Sequence, residues 1–285
     1  MGGTVQSKKG AKAGLGTGQC EFGKRQTGVT DMKTGMFMVV RTGSTRLPGK
    51  ALLKINGETI TGFMIDRLKK ARLIDTFVLC TTDRPEDTVL ADLAHQKGIE
   101  SYRGSATDIL ARELGAAQQF HTDFIVNIDG DDVFCDPGYV EKTVERFART
   151  APDFIRWVGL PLGASPIGIS VAALSKVCSL KENTNTETGW GSFFTETGLF
   201  KVEAIEESDP ELRHPEIRMT MDYPEDYAFV KEVYKRLGGT EFRLRDIVRL
   251  VRENPSVAAI NQHLQEGYFK EFNEKRVKVR LKKTT

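Results

Sequence analysis

Arg41, Arg46 and Lys50 put three cations into one ten-residue stretch, RTGSTRLPGK, together with Gly43, Ser44, Thr45 and Gly49. A bound triphosphate needs this combination. Cations offset its charge, and hydroxyls and backbone N–H groups face its oxygens. Glycines let the main chain come close. The stretch is not a Walker A loop, which requires Gly-x-x-x-x-Gly-Lys-Ser/Thr. Here five residues separate Gly43 from Gly49, and Ala51 follows the lysine. A P-loop ATPase is therefore disfavoured. A lone basic turn is usually a solvated surface feature. The whole decapeptide, directly after an apolar run, points to phosphate instead.

Carboxylates could complete such a site. Asp129, Asp131 and Asp132 follow the apolar run 123–128 (DFIVNI), and Asp222 follows 217–221 (IRMTM). Triphosphate chemistry generally uses Mg2+, which takes oxygen ligands and only one or two protein carboxylates. Taken singly, Asp131 reads as a turn or cap residue and Asp222 as an N-cap before Pro224. Beside a phosphate loop, the metal reading is the better one. Asp108 and Arg112 sit on an amphipathic segment, and a helix with two polar positions would look the same.

The elements that must position these groups alternate. Apolar runs at 36–40, 76–82, 99–103 and 123–128 read as strands. Segments 59–73, 87–97, 107–120 and 137–150 read as helices, with Pro85 able to begin the second and Gly98 to end it. Such alternation predicts an α/β fold: a Rossmann-like three-layer sandwich with a mostly parallel sheet. Ligands in such folds lie beyond the carboxyl ends of the strands. Loops 41–50, 82–87 and 129–132 all follow strands and should share one rim. After residue 150 the pattern weakens. Segments 154–158 and 217–221 read as strands, 170–179 as a short helix, and 181–192 as a polar loop. Segments 224–237 and 244–253 read as helices, and 256–270 as partly helical.

Composition excludes several classes. Apolar residues make up 39% and charged residues 28%, typical of a soluble domain. The net charge of +2 gives no global basic field for nucleic acid or an anionic membrane. No run of about 20 apolar residues is present to span a bilayer. Cys20, Cys80, Cys135 and Cys178 form no Cys-x-x-Cys pair, which disfavours zinc or a disulfide framework and suits a reducing, cytoplasmic compartment. Residues 1–35 read as a flexible extension without the apolar centre of a signal peptide, with Met32 or Met36 as possible starts. Residues 36–270 read as the domain that carries the phosphate loop and its carboxylates. Residues 271–285 read as a basic tail, and 276–283 shows no core role.

RTGSTRLPGKALLKINGETI resembles the N-terminal signature of the cytidylyltransferases that activate sugar acids, and within them the spore coat polysaccharide type. The likeness continues through Thr81-Thr82-Asp83, Arg103-Gly-Ser-x-x-Asp108-x-Leu-x-Arg112, Gly130-Asp131 with Asp136-Pro137, and Met219-Thr-Met-Asp222-Tyr-Pro-Glu-Asp226. It ends at Glu253-Asn-Pro255 and Ala259-Ile-Asn261, spanning roughly residues 36–268. The resemblance implies the nucleotide-diphospho-sugar transferase type of fold and transfer of CMP from CTP to a small-molecule acceptor hydroxyl, with release of pyrophosphate. It implies nucleotide contacts from Arg41, Gly43, Ser44, Thr45, Arg46, Lys50, Thr82, Asp83, Asp108, Arg112 and Asp129. It also implies Mg2+ on Asp131 and Asp222, a homodimer, and a role in surface polysaccharide synthesis. Asp129 stands where a glutamine is common, so it could join the metal site or alter base contacts. Segment 183–194 (NTNTETGWGSFF) lacks the Glu-His of many relatives, which leaves the acceptor open; its Trp190 reads as a packing residue before a stacking one. The rivals are a sugar-1-phosphate nucleotidyltransferase using UTP or GTP, and a non-catalytic nucleotide-binding protein.

Overall fold

The computed structural model describes residues 1, 2 and 32–282. Most of the expected N-terminal extension, with Cys20, lies outside the described residues. Strand β1 is Thr34–Val39, so the sheet begins two residues before the expected start. A small hairpin follows, β2 (Lys54–Ile55) and β3 (Glu58–Thr59). It turns at Asn56 and Gly57, both with positive φ, as a tight hairpin of this kind requires. Helix α1 (Ile60–Leu68) is capped by the Thr59 side chain. Then come β4 (Thr76–Thr82), α2 (Thr88–Gln96), β5 (Glu100–Gly104), α3 (Ile109–Phe120), β6 (Phe124–Asp129) and α4 (Pro137–Thr150).

The second half contains β7 (Phe154–Val158), β8 (Ile167–Ser170), α5 (Val171–Leu180), α6 (Ser192–Thr195) and β9 (Val202–Glu206). Four helices close the chain: α7 (Pro224–Leu237), α8 (Leu244–Glu253), α9 (Pro255–Ala258) and α10 (Gln265–Lys275). The sheet order is β5-β4-β1-β6-β8-β7-β9. Its ladders are parallel except those of β8, which runs antiparallel to both neighbours. Successive residues of a strand face opposite sides. Met36 and Met38 therefore enter the apolar layer under α1, α4, α7 and α8. Phe37 and Val39 enter the layer under α3 and α5. This is the expected mostly parallel sandwich. Among the described residues, no helix is long and apolar enough to cross a membrane.

Two expectations are corrected. Segment 217–221 is not a sheet strand. It makes a single bridge, Leu162 with Arg218, and backbone bonds to Leu162 and Asp131 hold it in place. Its period-two pattern misled because both faces are buried: Arg218 and Thr220 are covered as well as Ile217, Met219 and Met221. The C-terminal segment does have a core role. Val277, Val279 and Leu281 alternate with cations and pack against the α3–α5 layer. Val277 N–H bonds the Thr188 carbonyl, and Glu182 N–H bonds the Arg280 carbonyl. Helix α10 also runs across the expected boundary at 270/271. Three alternating apolar positions were masked by the basic residues between them. Cys80 and Cys135 are buried free thiols, and Cys178 is a partly exposed one.

Candidate nucleotide and metal site

The loops after β1 and β6 and the segment 217–222 converge on Lys50. Gly49, at φ 65°, adopts the left-handed conformation and starts the short turn Lys50–Leu52. That turn aims the lysine back over the sheet. Its Nζ donates to Asp131 Oδ2 at 2.7 Å, to Asp222 Oδ1 at 3.0 Å and to the Met221 carbonyl at 3.1 Å. Asp131 gets there because the chain leaves β6 at Gly130, whose N–H bonds the Val39 carbonyl at 2.8 Å. A Cβ at Gly130 would lie 2.6 Å from Val40 Cβ, so no other residue fits. The extended 217–221 segment brings in Asp222, since Met221 N–H bonds the Asp131 carbonyl at 2.8 Å. Asp226 accepts from both Asp222 N–H and Tyr223 N–H. Asp222 therefore does not cap α7; its carboxylate is free to face the site.

Arg46 extends the same network, with Nη2 2.7 Å from Asp222 Oδ1 and Nη1 3.4 Å from Glu271 Oε1. Burial alone would raise the Asp222 pKa, but Lys50 and Arg46 hold it below the usual carboxylate range. Burial would likewise lower the Lys50 pKa, yet Asp131 and Asp222 raise it, so the ammonium stays charged.

The carboxylates suit a hard cation. Asp129, Asp131 and Asp132 offer ligand atoms that all lie within 4.8 Å of one another. Burial and the Asp131 charge push Asp129 up to about 7, and burial with the same neighbour raises Asp132. Crowded, desolvated oxygens of this kind favour either a proton or a cation. The structure thus gathers the sequence-derived Asp131 and Asp222 around one ammonium and sets Asp129 and Asp132 beside Asp131.

The other end of the 41–50 loop is pinned by residues that sequence reasoning left out. Asp87 Oδ1 accepts from Thr42 N–H at 2.7 Å and from Thr42 Oγ1 at 2.6 Å, while Oδ2 accepts from Thr82 Oγ1. Loops 41–50 and 82–87 thus meet, as a common rim requires. Thr82 is buried in this link and Asp83 is exposed beside it. Glu187 is the second omission. Its carboxylate bridges Arg41 Nη1 at 2.9 Å and Arg112 Nη2 at 2.6 Å. Segment 183–194 therefore reaches the rim through Glu187. The pairing of a buried arginine at 112 with an acid in that polar segment was the available signal. Asp108 is engaged elsewhere: its carboxylate caps α3 at Ala111 N–H and takes bonds from Thr186 and Lys181. Gly43 has open space around its Cβ position. Ser44 Oγ accepts from Leu47 N–H at 3.3 Å and shapes the loop, of which Thr45 is an exposed member. Trp190 is buried edge-on to Phe154 and Phe194, a packing role.

Beneath the rim, Glu113 on α3 is fully buried and accepts from Asn127 Nδ2 at 2.7 Å, leaving Oε2 without a partner. Burial, with the Asp129 charge, pushes it up to about 8. The folded state thus retains a proton that the unfolded chain releases near pH 4.5. Stability falls as pH rises from about 4.5 to about 8 and is flat above that. Glu113→Gln keeps the Asn127 bond and removes this cost, on the order of a few kcal/mol. The expected result is a higher Tm at pH 8 with little gain at pH 5, read by calorimetry. An equal gain at both pH values would contradict the buried-carboxyl account.

The cytidylyltransferase family profile matches residues 38–188. The chain is 30% identical to an uncharacterised protein of Methanocaldococcus jannaschii, over 85% of this chain and all of that one. It is 24% identical to the spore coat polysaccharide biosynthesis protein SpsF of Bacillus subtilis, over 78% of this chain and 96% of that one. It is 34% identical to a 3-deoxy-manno-octulosonate cytidylyltransferase of Trichlorobacter lovleyi, over 41% of this chain and 45% of that one. Among solved structures, a cytidylyltransferase of Leptospira borgpetersenii superposes with TM-score 0.72 at 28% identity, over 80% of this chain and 97% of that one.

Proposed function

The chain belongs to the cytidylyltransferase family, and from that premise we propose that it transfers CMP from CTP to a hydroxyl of a sugar-acid acceptor, releasing pyrophosphate. One observation carries the reading: the loop cations Arg46 and Lys50 and the carboxylates Asp131 and Asp222 form a single contact network at the carboxyl rim. The products are activated sugars for surface polysaccharide or glycoconjugate synthesis, a role supported by the likeness to the spore coat protein.

The protein's task is alignment and charge stabilisation. Arg46 and Lys50 hold triphosphate oxygens, with Lys50 nearest the α-phosphate. The Gly43–Thr45 segment offers backbone N–H groups, and Arg41 braces the loop through Glu187. Arg112 steadies Glu187 from below, and Asp129 borders the base or metal side. Asp131 and Asp222 would hold Mg2+, which would lower the charge at the reacting phosphorus and help to activate the acceptor hydroxyl. The acceptor oxygen attacks the α-phosphorus and the bond to the β-phosphate bridging oxygen breaks. The family resemblance supports a homodimer, and the cysteine usage a reducing, cytoplasmic compartment.

The deciding experiment incubates the protein with each NTP and Mg2+ over a panel of octulosonic and nonulosonic acids and measures pyrophosphate release. Turnover with CTP alone is the expected outcome. Equal turnover with UTP or GTP would sink the cytosine assignment.

A further inference from the structure

Helix α10 brings a second set of groups to the Arg46 end of the rim. Tyr268 and Glu271 are three residues apart and so share a face. Tyr223 Oη donates to Glu271 Oε2 at 2.9 Å. The Tyr268 ring lies over the Arg218 guanidinium at 4.5 Å, and Arg46 sits 5.5 Å from the Tyr223 ring and 5.9 Å from the Tyr268 ring. Burial and the charges of Asp131 and Asp222 raise the Tyr268 pKa. None of the α10 residues is buried in the core, so polar and aromatic contacts position the helix.

Glu271 is poorly suited to a triphosphate, because its charge would repel one. It is well suited to hydroxyl groups, which donate to carboxylate oxygens. Two ring faces beside a carboxylate make an amphipathic surface that fits a ring with apolar C–H and polar O–H groups. These residues also lie beyond residue 188, outside the segment the family profile matches, where acceptor choice can vary without altering the nucleotide loop.

We infer that Tyr223, Tyr268 and Glu271 form the acceptor subsite, which takes a polyhydroxylated sugar-acid ring with its own carboxylate turned away from Glu271. This rests on the nucleotidyl-transfer reading above. Arg46 links the two halves of the site. It now spans Asp222 and Glu271. Glu271 is also held by Lys275 on Oε1 and by Tyr223 Oη on Oε2, so an acceptor hydroxyl would join or replace these partners.

The test uses the full chain with CTP, Mg2+ and 3-deoxy-octulosonate and nonulosonate acids. Pyrophosphate release gives kcat and KM, and calorimetry gives CTP affinity. For Glu271→Ala and Glu271→Gln the acceptor KM is expected to rise by about tenfold or more, the loss of about 1.4 kcal/mol of binding. CTP affinity should be unchanged or tighter, because Glu271 competes with phosphate for Arg46. Tyr268→Phe keeps the ring on Arg218 and should raise the acceptor KM less than Glu271→Ala. An unchanged acceptor KM in both Glu271 variants, with wild type active, overturns the subsite alone. A loss of CTP affinity matching the KM rise also overturns it. Failure of wild type to use any acid on the panel, with CTP–Mg2+ still bound, overturns the acceptor reading and the subsite together.

Discussion

Asp222→Asn is expected to lower kcat by about 10²–10³-fold or more, the range seen when one electrostatic stabiliser of a transition state is removed. Asp222 receives Lys50 and Arg46 on one oxygen and has Arg218 Nη2 3.6 Å from the other. Its side chain is only 3% exposed, so solvent screens these contacts little. Loss of its charge leaves three cations facing a neutral amide and removes a metal ligand at once. Pyrophosphate release at saturating CTP measures the first effect, and calorimetric titration of Mg2+ or Mn2+ the second. Activity within tenfold of wild type, with normal metal binding, would make Asp222 a purely structural residue and break the proposed site.

The second large effect is at Lys50. Lys50→Met keeps the approximate length of the side chain and removes the charge. Activity should fall by about 10²-fold or more, since the cation nearest the reacting phosphate is gone. The stability result is more specific. Lys50 is the ammonium between Asp131 and Asp222, and breaking a buried pair from one side costs about 3–5 kcal/mol. The metal-free variant should therefore melt well below wild type. A divalent cation stabilises the state that binds it by mass action. It no longer competes with an internal ammonium, so Mg2+ or Mn2+ should raise the Tm of Lys50→Met more than that of wild type. The expected combination is an inactive variant that is less stable than wild type without metal and gains more from it. Equal metal-induced shifts in the two proteins would show that cation and lysine do not share these carboxylates.

Sequence alone determined the rim. Strand-then-polar-loop alternation identified loops 41–50, 82–87 and 129–132. The charge and glycine content of the first pointed to phosphate chemistry, and the apolar runs to a mostly parallel sheet. Those signals are local: a period of two or 3.6, a glycine needed at a turn, cations close along the chain. What the sequence could not give is which distant groups meet. Asp87 read as a helix start and Glu187 as part of a divergent loop, yet each pins the nucleotide loop by a contact some 45 to 146 residues away along the chain. The alternation at 217–221 suggested a strand because period two does not report whether one face or both are buried. The C-terminal segment hid three apolar packing positions because cations alternate with them. Side-chain types set what chemistry is possible; the tertiary fold alone put Lys50 between Asp131 and Asp222 and laid α10 beside Arg46, because both depend on backbone paths joined by hydrogen bonds far apart in the chain.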